Sequence, residues 1–374
     1  MLRRLLKSRS LRRFLVGSIL FGVAGIALCT VTFIVVASRA QLDFRPVQEP
    51  ISTELRAFID KTDKYQREES STYLTFPEWY LVFNPQEYGQ FLHDHPPSQF
   101  PYFKSIGQFW RGYAEVYGIT KRHYRPNFGD QLMVVVIGTS TTVEYVIKGV
   151  YENTVGRLSE CSGAQTAEEV YAAQVAREYG EFIPTQPWFD FPFGRKLTDL
   201  WTTTEFFGPH FLRKCERKFF LGLEYGVKVI YAAVLRLASH SVYGVADDEV
   251  YTSVTNIPED AFANANVKRI KQLAEHSWII SVPHYQGFTD TVPELARQGV
   301  DFSEIAGNDE ILVTVVAPTS WKFNLSEGKA LFTMELLNDA KLQRVAIQAP
   351  VKSLGRILRE IETKGIRVEH LFDY

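Results

Sequence analysis

The sequence predicts an α+β protein carried on a single N-terminal transmembrane helix. Three observations lead there. Residues 14–38 form an uninterrupted apolar run behind a basic segment. Residues 75–265 repeat apolar and aromatic side chains at helical spacing. From about residue 266 the spacing shortens to alternation, with two amphipathic helices inserted, in the order of a split βαβ, ferredoxin-like domain. The chain thus divides into a basic segment 1–13, a transmembrane helix 14–38, a polar tether 39–74, a helical region 75–265 and a ferredoxin-like α+β domain 266–374.

The apolar run FLVGSILFGVAGIALCTVTFIVVAS has neither charge nor proline, and a bilayer-crossing helix needs about 20 such residues. Arg3, Arg4, Lys7, Arg9, Arg12 and Arg13 precede it without an acid, whereas Arg39 and Arg45 behind it are balanced by Asp43 and Glu49. That asymmetry predicts a cytoplasmic N-terminus and a body outside, on the periplasmic side if the cell is bacterial. A cleaved signal peptide has an apolar core of only about 7–15 residues, although Ser38-Arg39-Ala40 offers a small-x-small site. Ser18, Gly22, Gly25, Cys29 and Thr32 share one helical face, where small residues let a partner helix approach.

The tether contains DKTDKYQREESS and one short amphipathic stretch, Ile51, Leu55, Phe58 and Ile59. Thr75-Phe-Pro-Glu78 and Asn84-Pro85-Gln-Glu87 read as capping signals, which start two short helices near Phe76 and Pro85. A third helix follows over Phe103–Tyr117. Thr166-Ala-Glu-Glu169 caps a fourth, with Tyr171, Val175, Tyr179 and Phe182 inward. The segment 185–194 is an aromatic loop.

Two longer apolar helices are expected near 130–158 and 211–240. They contain the short uncharged runs Leu132–Val143 and Phe219–Leu223. A charge at the bilayer centre costs about 2.5–3.5 kcal/mol, so both are expected as buried bundle helices, with a three-span protein as the alternative. Beyond 266, strands are expected at 277–282, 310–317, 329–336, 341–348 and the C-terminal nine residues, with helices at 291–299 and 351–361.

The formal net charge is −2 although the first 13 residues are strongly basic, so the body is acidic. This excludes a basic nucleic-acid-binding body. The 27 Phe, 18 Tyr and 6 Trp suit a large core or a lipid interface. Three cysteines, Cys29, Cys161 and Cys215, make no disulfide framework and allow at most a Cys161–Cys215 bridge outside the cytoplasm.

No phosphate loop, dinucleotide fingerprint, CxxC, HExxH or GxSxG is present, and no cofactor is called for. His93-Asp94-His95, before Pro96-Pro97, reads as a solvated turn rather than a metal site. The one repeated polar pattern is VEYVIKGVY (143–151) and LEYGVKVIY (223–231). Each spells Glu-Tyr-x-x-Lys-x-x-Tyr, which puts Glu, Lys and Tyr along one helical stripe. Side by side, the two helices would interleave Glu144, Lys148, Tyr151, Glu224, Lys228 and Tyr231 as a polar seam. The expectation is a membrane-anchored envelope protein that binds a partner or apolar ligand rather than catalysing a reaction. The alternative is a subunit of a membrane enzyme or transporter that uses the seam.

Overall fold

The computed structural model describes residues 53–62, 65–123, 128–160, 165–242 and 249–374. The expected anchor at 14–38 and its small-residue stripe lie outside these residues. The described chain is mixed helix and sheet, with the helices first. They are α1 (Thr53–Ile59), α2 (Ser71–Leu74), α3 (Phe76–Asp94), α4 (Tyr102–His123), α5 (Phe128–Tyr151), α6 (Ala167–Phe182), α7 (Phe193–Thr203) and α8 (Phe211–Val242). A π-turn over Glu152–Gly156 carries α5 on to Ser159.

Where two short helices were expected, α3 runs unbroken through Pro85. Thr75 is helical and its hydroxyl bonds back to the Ser71 carbonyl at 3.0 Å, so it does not cap. Asn84 spends its side chain on Ser105 and Tyr145, which leaves nothing for a local cap. The Thr166 capping box does form: the Thr166 amide donates to Glu169 Oε2 at 2.8 Å. Helices α3 and α6 cross at Gly89 and Gly180. A Cβ on Gly89 would lie 2.8 Å from the Ala176 carbonyl oxygen, and one on Gly180 would lie 2.9 Å from Gln86 Cα.

The sheet half starts at Glu249, earlier than the expected 266. It comprises β1 (Glu249–Thr255), β2 (Lys268–Ala274), β3 (Ser277–Pro283), α9 (Gln286–Arg297) and β4 (Asp301–Ile305). Then come β5 (Glu310–Pro318), β6 (Lys329–Glu335), β7 (Leu342–Pro350), α10 (Val351–Thr363) and β8 (Arg367–Phe372). The sheets are ordered β2-β3-β1-β4 and β6-β7-β5-β8, with antiparallel pairing. The split βαβ expectation is therefore corrected to one βββαβ unit built twice. The echoes are local: Glu249 pairs with Pro283 and Glu310 with Pro350. Gly299 and Gly365, at φ +89° and +66°, follow α9 and α10 and each precedes a buried Val300 or Ile366. Strand β2 (KRIKQLA) is largely exposed and lacks alternating apolar residues, which is why it escaped the periodicity.

Both units share one core, in which Phe288, Val292, Leu354 and Ile357 of α9 and α10 meet Val250, Ile280, Val313 and Ile347 of the strands. The second sheet is apolar on both faces. Leu312, Phe332, Ala346 and Phe372 turn away from that core onto Phe76, Trp79 and Phe109 of α3 and α4. The first sheet is covered on its outer face by Leu55, Phe58, Ile59 and Tyr65, packed on Tyr251, Leu273 and Ile279. The described end of the expected tether is thus a packed strap. Arg67 donates to the carbonyls of Glu249 (2.9 Å) and Tyr374 (2.6 Å), and Thr72 to that of Phe372 (2.5 Å). Its spacing looked polar because its charged side chains alternate with a few deeply buried anchors.

The α3–α6 crossing generates a prediction. Gly89→Val should lower unfolding stability by about 1–3 kcal/mol through overpacking against backbone that cannot retreat. In denaturant unfolding, Gly118→Ala in α4, whose added Cβ meets nothing within 4 Å, should be neutral or stabilising by up to about 1 kcal/mol.

Candidate functional site

Helices α5 and α8 lie antiparallel, and their contact is ionic. Lys148 Nζ donates to Glu224 Oε1 at 2.9 Å. Lys228 Nζ lies 3.0 Å from Glu144 Oε1 and 3.3 Å from Glu224 Oε1. Rings close the flanks: Lys148 sits 4.8 Å over Tyr88, and Lys228 lies 5.4 and 5.3 Å over Tyr179 and Phe193. The ladder continues past the π-turn, where Arg217 grips Glu152 with two bonds of 2.8 and 2.7 Å. Arg213 then joins Glu169, Glu216 (3.0 Å) and the Gly156 carbonyl (2.9 Å).

The four expected charges therefore meet, and the two expected tyrosines do not join them. Antiparallel helices send residues seven positions on to opposite ends. Tyr151 stacks on Phe220 at 3.5 Å, with its buried hydroxyl unpartnered, while Tyr231 packs on Trp188 at 5.3 Å. Two Lys and two Glu make a neutral quartet whose charges are spent on one another. Such a seam sets the register of two helices, and removing one partner leaves an unpaired buried charge. By length and composition, Gln131–Ser159 is also the one described helix able to cross a membrane, with much of its surface uncovered. Its charges Glu144, Lys148 and Glu152 are turned toward α8, while Arg157 is exposed.

Two further polar clusters had no motif. Arg344 of β7 is buried between Glu87 of α3 (2.7 Å) and Glu369 of β8 (2.5 and 2.8 Å), with its guanidinium 4.5 Å over the Phe83 ring. They line a cleft of about 210 Å³ with Trp79, Gln86 and Arg367. Burial raises the Glu87 carboxyl against the pull of Arg344. Beside it, His370 lies against Trp79 at 3.5 Å and is held well below its ordinary pKa by burial. In the other sheet, Glu304 accepts the Tyr65 hydroxyl, and burial lifts its carboxyl to about 7. His93 and Asp94 stand exposed at the end of α3. Among the described residues no group of His, Cys, Asp and Glu is placed to hold a metal.

Two predictions follow from this geometry. Glu224→Gln, which strands Lys148, should destabilise by about 3–5 kcal/mol, and Lys148→Met, which leaves Glu224 with Lys228, by less. The double variant should destabilise by less than the sum, with a coupling of about 0.5–3 kcal/mol in a denaturant double-mutant cycle. For Glu304 the folded pKa lies above the unfolded one, so the native state keeps a proton that the unfolded chain releases. The stability this confers is full below about 4.5 and is lost as pH rises through about 7. Thermal unfolding should show the native chain weakening between about pH 5 and 8, and Glu304→Gln should flatten that decline.

No protein-family model, curated protein or solved structure matches this chain.

Proposed function

We propose that this chain is a membrane-anchored binding protein. The run at 14–38 holds it with the N-terminus in the cytoplasm, and the body, carried on the other side, acts by contact rather than by catalysis. The observation that carries this reading is the division of labour in α5 and α8. Their charged sides close on each other as a neutral quartet, while Ile147, Val150, Phe219, Leu223, Val227 and Ile230 of the same helices are left exposed. A contiguous apolar surface of this kind marks an interaction face. A transporter or enzyme subunit working through the seam would need at least one of those four groups free to exchange a proton or hold a substrate, and all four are committed.

The test uses membranes from cells expressing the full chain. After an alkaline carbonate wash, the protein is expected to remain in the pellet with its N-terminal segment intact by terminal sequencing. Purified in mild detergent, it should retain a companion, lipid or protein, in a fixed ratio that falls in the Leu223→Glu variant. A mature start at Gln41, or a companion indifferent to Leu223, would overturn the proposal.

A further inference from the structure

We infer that the outer side of the α5/α8 pair is an in-plane plate seated in the apolar layer of the bilayer, with lipid chains as its occupant. The inference rests on the anchored reading above and names the surface through which the body meets the membrane.

The plate is continuous. On α8, Phe219, Leu223, Val227 and Ile230 recur at helical spacing and are 72, 55, 57 and 69% exposed. On α5, Met133, Val136, Ser140, Val143, Ile147 and Val150 run along one side for about 26 Å at 1.5 Å per residue, none of them charged. Ile147 stands one residue before Lys148, and Leu223 one before Glu224, so each row is rotated by the same angle from the seam. In an antiparallel pair, equal rotation from the contact line puts both rows on the same side. The ion ladder is thus the spine beneath a two-helix apolar face.

The polar atoms along this face make no claim on water. Ser140 donates its hydroxyl to the Val136 carbonyl at 2.9 Å, and Thr154 donates to that of Val150 at 2.7 Å. Hydroxyls returned to their own helix are what a lipid-facing row requires, because hydrocarbon offers no partner. A protein partner, by contrast, would find no polar group here to set its register. Aromatic rings lie beside α8: Phe206, Phe207 and Phe211 at its start, and Trp188 with Tyr231 about two-thirds of the way along. Aromatic side chains favour the headgroup boundary. Other exposed faces of the bundle are polar, with Lys104, Arg111 and Glu115 on α4 and Gln174, Arg177 and Glu181 on α6 exposed. Full immersion is therefore excluded and a one-sided, interfacial seat remains. The 14 residues between Ser38 and Thr53 span at most about 50 Å, so the anchor keeps Thr53 within that distance of the membrane.

The experiment places a nitroxide at single cysteines in the full chain, with Cys29, Cys161 and Cys215 replaced by Ser. The protein is reconstituted in phosphatidylethanolamine–phosphatidylglycerol vesicles. Labels at Ile147→Cys, Leu223→Cys and Ile230→Cys should collide with oxygen more, and with a water-soluble nickel chelate less, than labels at Arg111→Cys and Gln174→Cys. Nickel access at the plate equal to that at Gln174→Cys would overturn the inference, because the face would be in water. Plate labels shielded from both reagents would overturn it in favour of a second copy or another protein as the cover. A label at Val23→Cys reports separately on the anchor: nickel access there would overturn the anchored reading whatever the plate labels show.

Discussion

Strand β5 has no side to give to water. Its residues Ile311–Ala317 are all buried, so both faces of the sheet built around it must be covered, at about 25 cal/mol for each Å² of apolar surface removed from water. One face is met by α9 and α10 within the duplicated unit. The other can be met only by residues far away in sequence, and α3 and α4 supply Phe76, Trp79 and Phe109. This requirement ties the helical half to the sheet half and sets where every other helix is placed. With α3 docked on the sheet, α6 crosses it at the two glycines and α5 packs outside α4. Helix α8, packed on α6 and α7, then closes on α5.

The two halves are also pinned by ions at places where apolar packing would not specify a unique register. Arg344 reaches from β7 to Glu87 of α3 and Glu369 of β8. The Lys148–Glu224–Lys228–Glu144 quartet does the same between α5 and α8. Buried ion pairs often contribute little net stability compared with apolar replacements of similar volume. Their effect is to penalise sliding, since a one-residue slip would strand several charges at once. Placing most of the charges between the helices leaves mainly apolar side chains, such as Ile147, Val150, Leu223 and Ile230, for the outside of α5 and α8.

Duplication gives equivalent positions different neighbours. Glu304 and His370 both lie five residues after a positive-φ glycine and turn away from the shared core. Over Glu304 lies the strap with Tyr65; over His370 lies α3 with Trp79. Burial acts on both in the same sense, favouring the neutral form, so the acid is raised and the imidazole lowered.

Local pattern determined a good deal of this protein. The strand character of EILVTVVA, KALFTMEL and KLQRVAIQ, the capping box at Thr166, and the stripe Val351, Leu354, Ile357, Leu358 and Ile361 are all realised as read. So is the meeting of Glu144, Lys148, Glu224 and Lys228, because a four-residue spacing repeated on two apolar helices makes a matching stripe on each. Partners remote in sequence were decided by tertiary structure alone. Whether α5 and α8 run parallel or antiparallel is absent from either stripe, and that choice separated Tyr151 from Tyr231. Pro85 and Asn84 stay inside one helix because Ser105 and Tyr145 claim the Asn84 side chain. The repeat of the βββαβ unit was hidden because its exposed strand β2 carries no apolar period. The Arg344 and Glu304 clusters join residues from strands, helices and strap hundreds of positions apart, where no local spacing records the contact.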